Sequence, residues 1–368
     1  MILFLHNRYR RSGGEERAVE DLLWLVREHL GEDAELLQRD SALLGRGRAA
    51  AGMLAGGLRP DEVAAAVRRT GARIVHAHNL TPSFGWRSLA AAREAGAAVV
   101  AHLHQYRLIC AVGICFTDGR ECTRCHGRNT LPGVLHNCRG GAAESLVYAA
   151  GLALWQRRVA GLIDAAIVPS QFARRRLLDL GAPLPATHVL PHPVRDFAAH
   201  SQAAQGRYAL FSGRLEPEKG LAVAVEACAI AGLPLVVAGA GSQRRRFEGA
   251  PGVTFAGLVS RSELAPLRGG AKVALVPSLT AETFGLAAAE AMAAGVPVAG
   301  SQIGALPELI AERWLSPPGD AKALAATIAA LGADPGAGEQ ALRSARELLD
   351  PSRLAAELGA IYASVPRR

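Results

Sequence analysis

The sequence holds no run of about 20 apolar residues, the length a membrane-spanning helix needs. Aromatic side chains make up only 5% of it, and no long basic run or nucleic-acid-binding motif occurs, which excludes a nucleic-acid partner. No Gly-x-Gly-x-x-Gly turn follows the first apolar run. The nearest approach, "AGAGSQRR" (Ala238 to Arg245), lacks the last glycine and sits in mid-domain, so an NAD-dependent enzyme is a poor reading. No charged segment precedes the apolar start of "MILFLHNRYR", which reads as a buried first strand and not a secretory signal. The expected location is cytoplasmic, where disulfides are uncommon.

What is present fits a globular protein of two domains. The chain has 368 residues, half of them hydrophobic and a fifth charged. The formal charge is +8, carried by arginine patches at Arg8–Arg11, Arg174–Arg176 and Arg244–Arg246. Such a balance suits a phosphate-bearing substrate, an anionic membrane surface or plain solubility.

Short apolar runs alternate with helical stretches along the whole chain. Strands are expected at "MILFLH", Arg73–Asn79, Ala97–His104, Ala165–Ser170 and Thr187–Pro191. In the second half they are expected at Tyr208–Gly213, Leu233–Gly239, Val253–Gly257, Val273–Ser278 and Val296–Ser301. Continuously apolar runs of this length suit parallel strands buried on both faces, and the alternation predicts an α/β fold of doubly wound sheets. The polar stretch Arg195–Arg207 is the expected linker. It divides an N-terminal domain, 1–195, from a C-terminal domain, 208–350, with a last helical segment at 351–368. Ligands of such sheets bind beyond the carboxyl ends of the strands.

Four stretches of the second half carry candidate chemistry. In "FSGRLEPEKG", Gly213 permits a tight turn, and Arg214 and Lys219 are two cations suited to a diphosphate. In "VPSLTAETFGLAAAEAMAAGVPV", a loop with Glu282 precedes a helix expected to begin near Phe284, Gly285 and Leu286, whose free N–H groups favour an anion. Glu290 is the one polar residue in an apolar helix, so it is expected to be buried and to need partners, for which the hydroxyls of a ribose would serve. Gly239 and Gly241 offer a further glycine loop, and the turn at Val259 offers backbone groups to a base.

These stretches, with "FAG" and "GALPELI" (Gly304 to Ile310), resemble in order and spacing the retaining glycosyltransferases of family 4. The resemblance covers nearly the whole chain, and its most specific element is Glu282 and Glu290, eight residues apart with "FG" between them. It implies the two-Rossmann-domain GT-B architecture and transfer of a sugar from a UDP- or GDP-linked donor to a hydroxyl, with anomeric configuration retained. It also implies that Arg214 and Lys219 hold the diphosphate, Glu290 the ribose, and Glu282 with the Phe284–Leu286 backbone the donor sugar. Glu308 matches a further family glutamate. In the first half, Gly13 and Gly14 match a glycine pair that approaches donor phosphate and acceptor, and His104 matches a cleft histidine near the transferred sugar. The segment 351–368 is expected to cross back onto the first domain. His192 stands where the family often has asparagine. No Asp-x-Asp motif occurs, so no catalytic metal is expected. The expected acceptor is a glycan, a lipid-linked molecule or a small molecule, with peripheral association at the inner membrane face as one setting. A non-catalytic nucleotide-sugar-binding protein of the same fold is the alternative.

Five of the six cysteines lie between Cys110 and Cys138. Cys110, Cys122, Cys125 and Cys138 give C-x11-C-x2-C-x12-C, whose centre has a common zinc-knuckle spacing. A structural zinc in an insertion at about 105–140 is the leading expectation. Buried free thiols and disulfides are the alternatives, and His126 and His136 are alternative ligands.

Overall fold

The computed structural model describes residues 1–10 and 13–368. Arg11, of the first arginine patch, lies outside them. The chain divides into two compact units. One comprises Met1–Thr117, Cys122–Pro193 and Pro351–Arg368; the other comprises Val194–Asp350, with the four residues Asp118–Glu121 grouped with it.

Along the chain from Met1 to Pro193 the strands are β1 (Ile2–Arg8), β2 (Ala34–Asp40), β3 (Ile74–Ala77) and β4 (Ala98–His102), then a small hairpin of β5 (Phe116–Thr117) and β6 (Arg120–Glu121), then β7 (Ala165–Val168) and β8 (Thr187–Val189). Six of them form one parallel sheet in the order β2-β1-β3-β4-β7-β8. Strand alternation splits the core between the two faces. Ile2, Phe4, Val100 and Ile167 pack on one side with Leu354, Leu358 and Tyr362 of the helix Pro351–Ser364. Leu3, Leu5, Val75 and Val99 pack on the other with Val63, Val67 and Leu89. β2 was not expected. Its "AELLQRD" is an edge strand with one partner and mostly half-buried residues, so it lacks the apolar run that marks the others.

The second unit repeats the plan with β9 (Tyr208–Ser212), β10 (Leu235–Ala238), β11 (Val253–Gly257), β12 (Ala271–Val276), β13 (Val298–Ser301) and β14 (Leu315–Ser316). These form a parallel sheet in the order β11-β10-β9-β12-β13-β14. The order turns outward from β9 in both directions, so the carboxyl ends of β9 and β12 flank a switch point where ligands of such sheets bind. Among the described residues no helix is long and apolar enough to cross a membrane.

Candidate active site

The loops after β9 and β12 lie against one another: the Leu279 N–H donates to the Glu218 carbonyl at 2.8 Å. Lys219 ends the short turn Pro217–Lys219 and Glu282 stands in the loop after β12. Lys219 Nζ donates to Glu282 Oε1 at 2.6 Å, and Ser278 Oγ donates to the same oxygen at 2.6 Å. Burial pushes the Glu282 carboxyl upward, but Lys219, Ser278 and Arg214 together outweigh it and hold the group below the ordinary carboxylate range. Glu282 is therefore an anion bound to its lysine. Arg214 Nη2 donates to Glu218 Oε1 at 2.9 Å, so each cation is oriented by a carboxylate.

Two glycines fix this geometry. Gly285 precedes the helix Leu286–Ala293 at φ +102, a conformation side chains avoid, and a Cβ there would sit 2.6 Å from Leu306 Cδ2. The first N–H groups of that helix have no acceptor within it. Gly304, at φ +64, lies under the Glu282 loop: a Cβ would come 2.4 Å from the Glu282 nitrogen, and the Ala305 N–H donates to the Glu282 carbonyl at 2.9 Å. Phe284 is buried in the core beside Leu306, while Leu286 is half-buried. Gly213, Gly239 and Gly241 join the ends of β9, β10 and β11. The Gly213 N–H donates to the Ala238 carbonyl at 2.9 Å, and the Gly239 N–H to the Gly257 carbonyl at 2.7 Å. A Cβ on Gly241 would come 2.5 Å from the Leu215 carbonyl oxygen. Val259 is half-buried, next to the exposed Leu258, and Glu308 is exposed.

Glu290 is buried, as its setting requires, and its carboxylate accepts from Arg268, itself buried. Arg268 was not foreseen. The only signal for it was the demand of a buried glutamate for a partner, and that partner is 22 residues away.

In the first unit, Gly13 caps the helix Gly14–Trp24. Glu15 and Glu16, in the first turn of that helix, are both buried. Glu16 accepts from the Gly13 N–H at 2.7 Å and the Tyr9 N–H at 3.0 Å. Burial raises the Glu15 carboxyl. Its Oε2 accepts from Tyr9 Oη at 2.6 Å, and Arg107 Nε donates to that oxygen of Tyr9 at 3.1 Å. Tyr9 and Arg107, 98 residues apart, were missed because nothing local marks them as partners.

Alternation aims His76 and His78 of one strand, and His102 and His104 of the next, at the same space. His78 Nδ1 lies 2.8 Å from His104 Nε2, and His192 Nε2 lies 3.4 Å from His104 Nδ1. His76 Nδ1 lies 2.7 Å from Tyr362 Oη. Burial holds all five rings neutral, with His76 and His192 lowered to about 3. Both nitrogens of His104 thus face other imidazoles. The triads His76–His78–His102 and His102–His104–His192 each bring ligand atoms within 4.8 Å. Their rings are nearly parallel, at 1–30° within the two triads, so their in-plane lone pairs do not converge as a chelate needs.

Cys110, Cys115, Cys122, Cys125 and Cys138 all line one small cavity, and all six cysteines are free thiols. No three of the sulfurs lie within 4.8 Å of one another among the described residues. A tetrahedral zinc with 2.3 Å bonds needs sulfurs about 3.8 Å apart, so the ring of thiols is wider than a closed site. A hydrogen bond from Cys115 pushes the Cys110 thiol down to about 6, and Cys115 is raised in turn.

Residues 9–193 match the family described as glycosyl transferase 4-like domain, and residues 206–334 match glycosyl transferases group 1. The chain is 34% identical over 168 residues to a glycogen synthase of Mycobacterium tuberculosis, a stretch covering 42% of this chain and 40% of that protein. It is 30% identical over 244 residues to a D-inositol 3-phosphate glycosyltransferase of Mycobacterium leprae, covering 59% and 56%. The chain therefore spans about half the length, or less, of these curated relatives. Two solved structures resemble it over almost the full length. Sucrose-phosphate synthase of Thermosynechococcus elongatus has a TM-score of 0.70 at 21% identity, covering 98% of each chain. The Anabaena protein HepE, solved with UDP, has a TM-score of 0.64 at 17% identity, covering 99% of this chain and 100% of that one. These likenesses show the GT-B fold, and with a family match over half its length the chain belongs to the glycosyl transferase 4-like family.

Proposed function

We propose that the protein transfers a sugar from a UDP- or GDP-linked donor to a hydroxyl acceptor in glycan, polysaccharide or glycolipid synthesis, with the anomeric configuration retained. The observation that carries this reading is the Lys219–Glu282–Ser278 cluster at the carboxyl end of the second sheet, beside a helix start that only glycine can make. Arg214 and Lys219 take the donor diphosphate, and the helix N–H groups add to them at the point where charge develops. Glu282 orients Lys219 and faces the donor sugar. The bond from the anomeric carbon to the β-phosphate oxygen breaks, and a bond to the acceptor oxygen forms on the same face. The acceptor's proton passes to the departing phosphate, so no covalent sugar–enzyme adduct arises. Glu290, with Arg268, serves the ribose. Gly13 and Gly14 serve the backbone approach to donor and acceptor. His104 orients a hydroxyl through the imidazoles it touches.

The cysteine ring is proposed as a structural zinc site in which Cys110, Cys122, Cys125 and Cys138 draw inward on the ion. Five sulfurs lining one cavity carry this reading. Elemental analysis should give one zinc per chain, and five titratable thiols with no metal would refute it. For the main reaction, the protein is incubated with UDP- and GDP-sugars. Slow donor hydrolysis releasing a sugar of the donor's own anomeric form is expected. A glycosyl adduct on Glu282 by mass spectrometry would overturn the same-face route. Nucleotide-sugar binding without any turnover would favour a binding protein.

A further inference from the structure

The charge between Cys122 and Gly161 is almost all of one sign. This stretch holds five arginines and one carboxylate, Glu144, which Arg139 neutralises at 2.6 Å. It contains the helices Leu131–Leu135 and Ala142–Gly161, and the helix Arg46–Ala55 adjoins them. Five of the ten large apolar side chains left exposed among the described residues lie on these three helices. They are Leu54, Leu131, Leu135, Leu146 and Leu154, between 44% and 73% exposed. A leucine exposed singly needs no explanation, but a group rimmed by charge marks a surface that meets a partner.

The contacts join these side chains into one face. At 3.6 residues per turn, Ala143, Leu146, Ala150, Leu154 and Arg157 fall within about 80° on one side of the long helix. None of them is buried, whereas Leu152 and Gln156 on the far side are. The short helix lies along one edge of this stripe. Thr130 Oγ1 donates to the Ala149 carbonyl at 2.7 Å, and Arg128 Nε to the Ala153 carbonyl at 2.8 Å. Leu131 and Leu135, four residues apart, share a side of that helix. Leu54 lies along the other edge, where its carbonyl accepts from Trp155 Nε1 at 3.0 Å. The exposed Arg157 and Arg158 close the stripe at its carboxyl end. Neither of the two flanking helices holds a carboxylate. The cysteine loop backs the short helix, since Pro132 and Gly133 line the thiol cavity.

We propose that this face docks the protein on an anionic lipid surface, with the leucines entering the boundary of the acyl chains and the arginines meeting lipid phosphates. The cysteine-bearing insertion then has a purpose: it holds Leu131 and Leu135 outward beside the long helix. A second copy fits poorly, because a two-fold contact would set the arginines against their own images. A protein partner fits less well than a bilayer. Leucine is under-represented among the residues that dominate protein interfaces, while a lipid surface asks only for apolar area and cations. The proposal does not rest on the transferase reading.

The test is flotation of the full chain with vesicles of phosphatidylcholine, alone or with about one-third phosphatidylglycerol to supply negative charge. These lipids carry no sugar and no nucleotide is added, so the readout is independent of the transferase site. Affinity for the anionic vesicles should exceed that for the neutral ones at least tenfold. It should fall at least tenfold between about 0.1 M and about 1 M salt, as the screening length shrinks from about 10 Å to about 3 Å. Arg157→Gln should weaken binding about fivefold, the factor for one cation at such a surface. Leu131→Ser combined with Leu135→Ser should weaken it at least tenfold, as apolar area is lost. Ile230→Ser, at an exposed apolar residue of the second unit, should leave it unchanged. A thermal melt checks that each variant is folded. Should the leucine pair fail to fold, Arg157→Gln and the salt series decide. Equal binding to both vesicles, binding to neither, or wild-type binding by the folded leucine variant overturns the proposal. A dimer in sedimentation that the leucine variant dissociates also overturns it, and assigns the face to a second copy.

Discussion

Acid should unfold the first unit well before the second. Five histidines, His76, His78, His102, His104 and His192, are buried and neutral in the native first unit. In the unfolded chain each titrates near 6.5. Between that value and its lowered native value the unfolded state holds the extra proton, so stability is full above about pH 6.5 and falls as pH falls. His76 and His192 stay neutral down to about 3. At pH 5, about 1.5 units below the unfolded value, each therefore costs the fold about 2 kcal/mol, together about 4 kcal/mol. The other three push the same way. A typical domain has only roughly 5–15 kcal/mol in all. The second unit holds a single histidine, the exposed His200, and is the internal control. Urea unfolding at pH 7.5 and pH 5.0, followed by tryptophan emission, reads mainly the first unit, which holds Trp24, Trp86 and Trp155 of the four tryptophans. Calorimetry separates the two transitions. If the first unit is within about 1 kcal/mol of its pH 7.5 stability at pH 5.0, the neutral array is not as described.

Other perturbations follow from the same contacts. Glu290→Gln strands the buried Arg268 charge and should cost about 3–5 kcal/mol in a melt, while adding Arg268→Met should recover most of it; equal losses in the single and double variants would argue against the pair. Gly285→Ala meets both the positive φ and Leu306, so a loss of about 1–3 kcal/mol with weakened nucleotide binding is expected, and a shift under 0.5 kcal/mol would show the loop to be pliable. In protein stripped of metal by a chelator, thiolate absorbance should reveal one cysteine titrating near 6, and Cys115→Ser should move that step upward; no step below pH 8 in either metal-free protein would discount the hydrogen bond between Cys110 and Cys115.

Most strands of the two sheets were legible because parallel strands buried on two faces must be apolar throughout; the two-residue β14 was too short to show. β2 escaped because an edge strand needs no such run. The loops bearing Arg214, Lys219 and Glu282 were legible because they sit at strand ends with glycine beside them. What joins them was not: Lys219 and Glu282 are 63 residues apart, and only the folded sheet makes them a pair. The burial of Glu15 and Glu16 was not legible, since acids in a first helical turn satisfy the helix dipole in solvent equally well. The cysteine spacing announced a cluster truly enough, and all five sulfurs share one cavity. Spacing alone does not fix how far apart the sulfurs stand, and no three of them lie within 4.8 Å of one another among the described residues.

The helix Pro351–Ser364 belongs to the sheet face of Phe4 and Val100, yet the whole second unit is inserted before it. During synthesis the first unit must wait for its own last piece. About 170 residues separate Pro193 from the end of that helix. At ribosomal rates of about 5–20 residues per second, the face of Phe4 stays uncovered for roughly 10–30 seconds. The second unit, continuous from Val194 to Asp350, can close its sheet in that interval. The nascent chain thus completes its halves in reverse order, and the first unit is the one a chaperone would have to shelter.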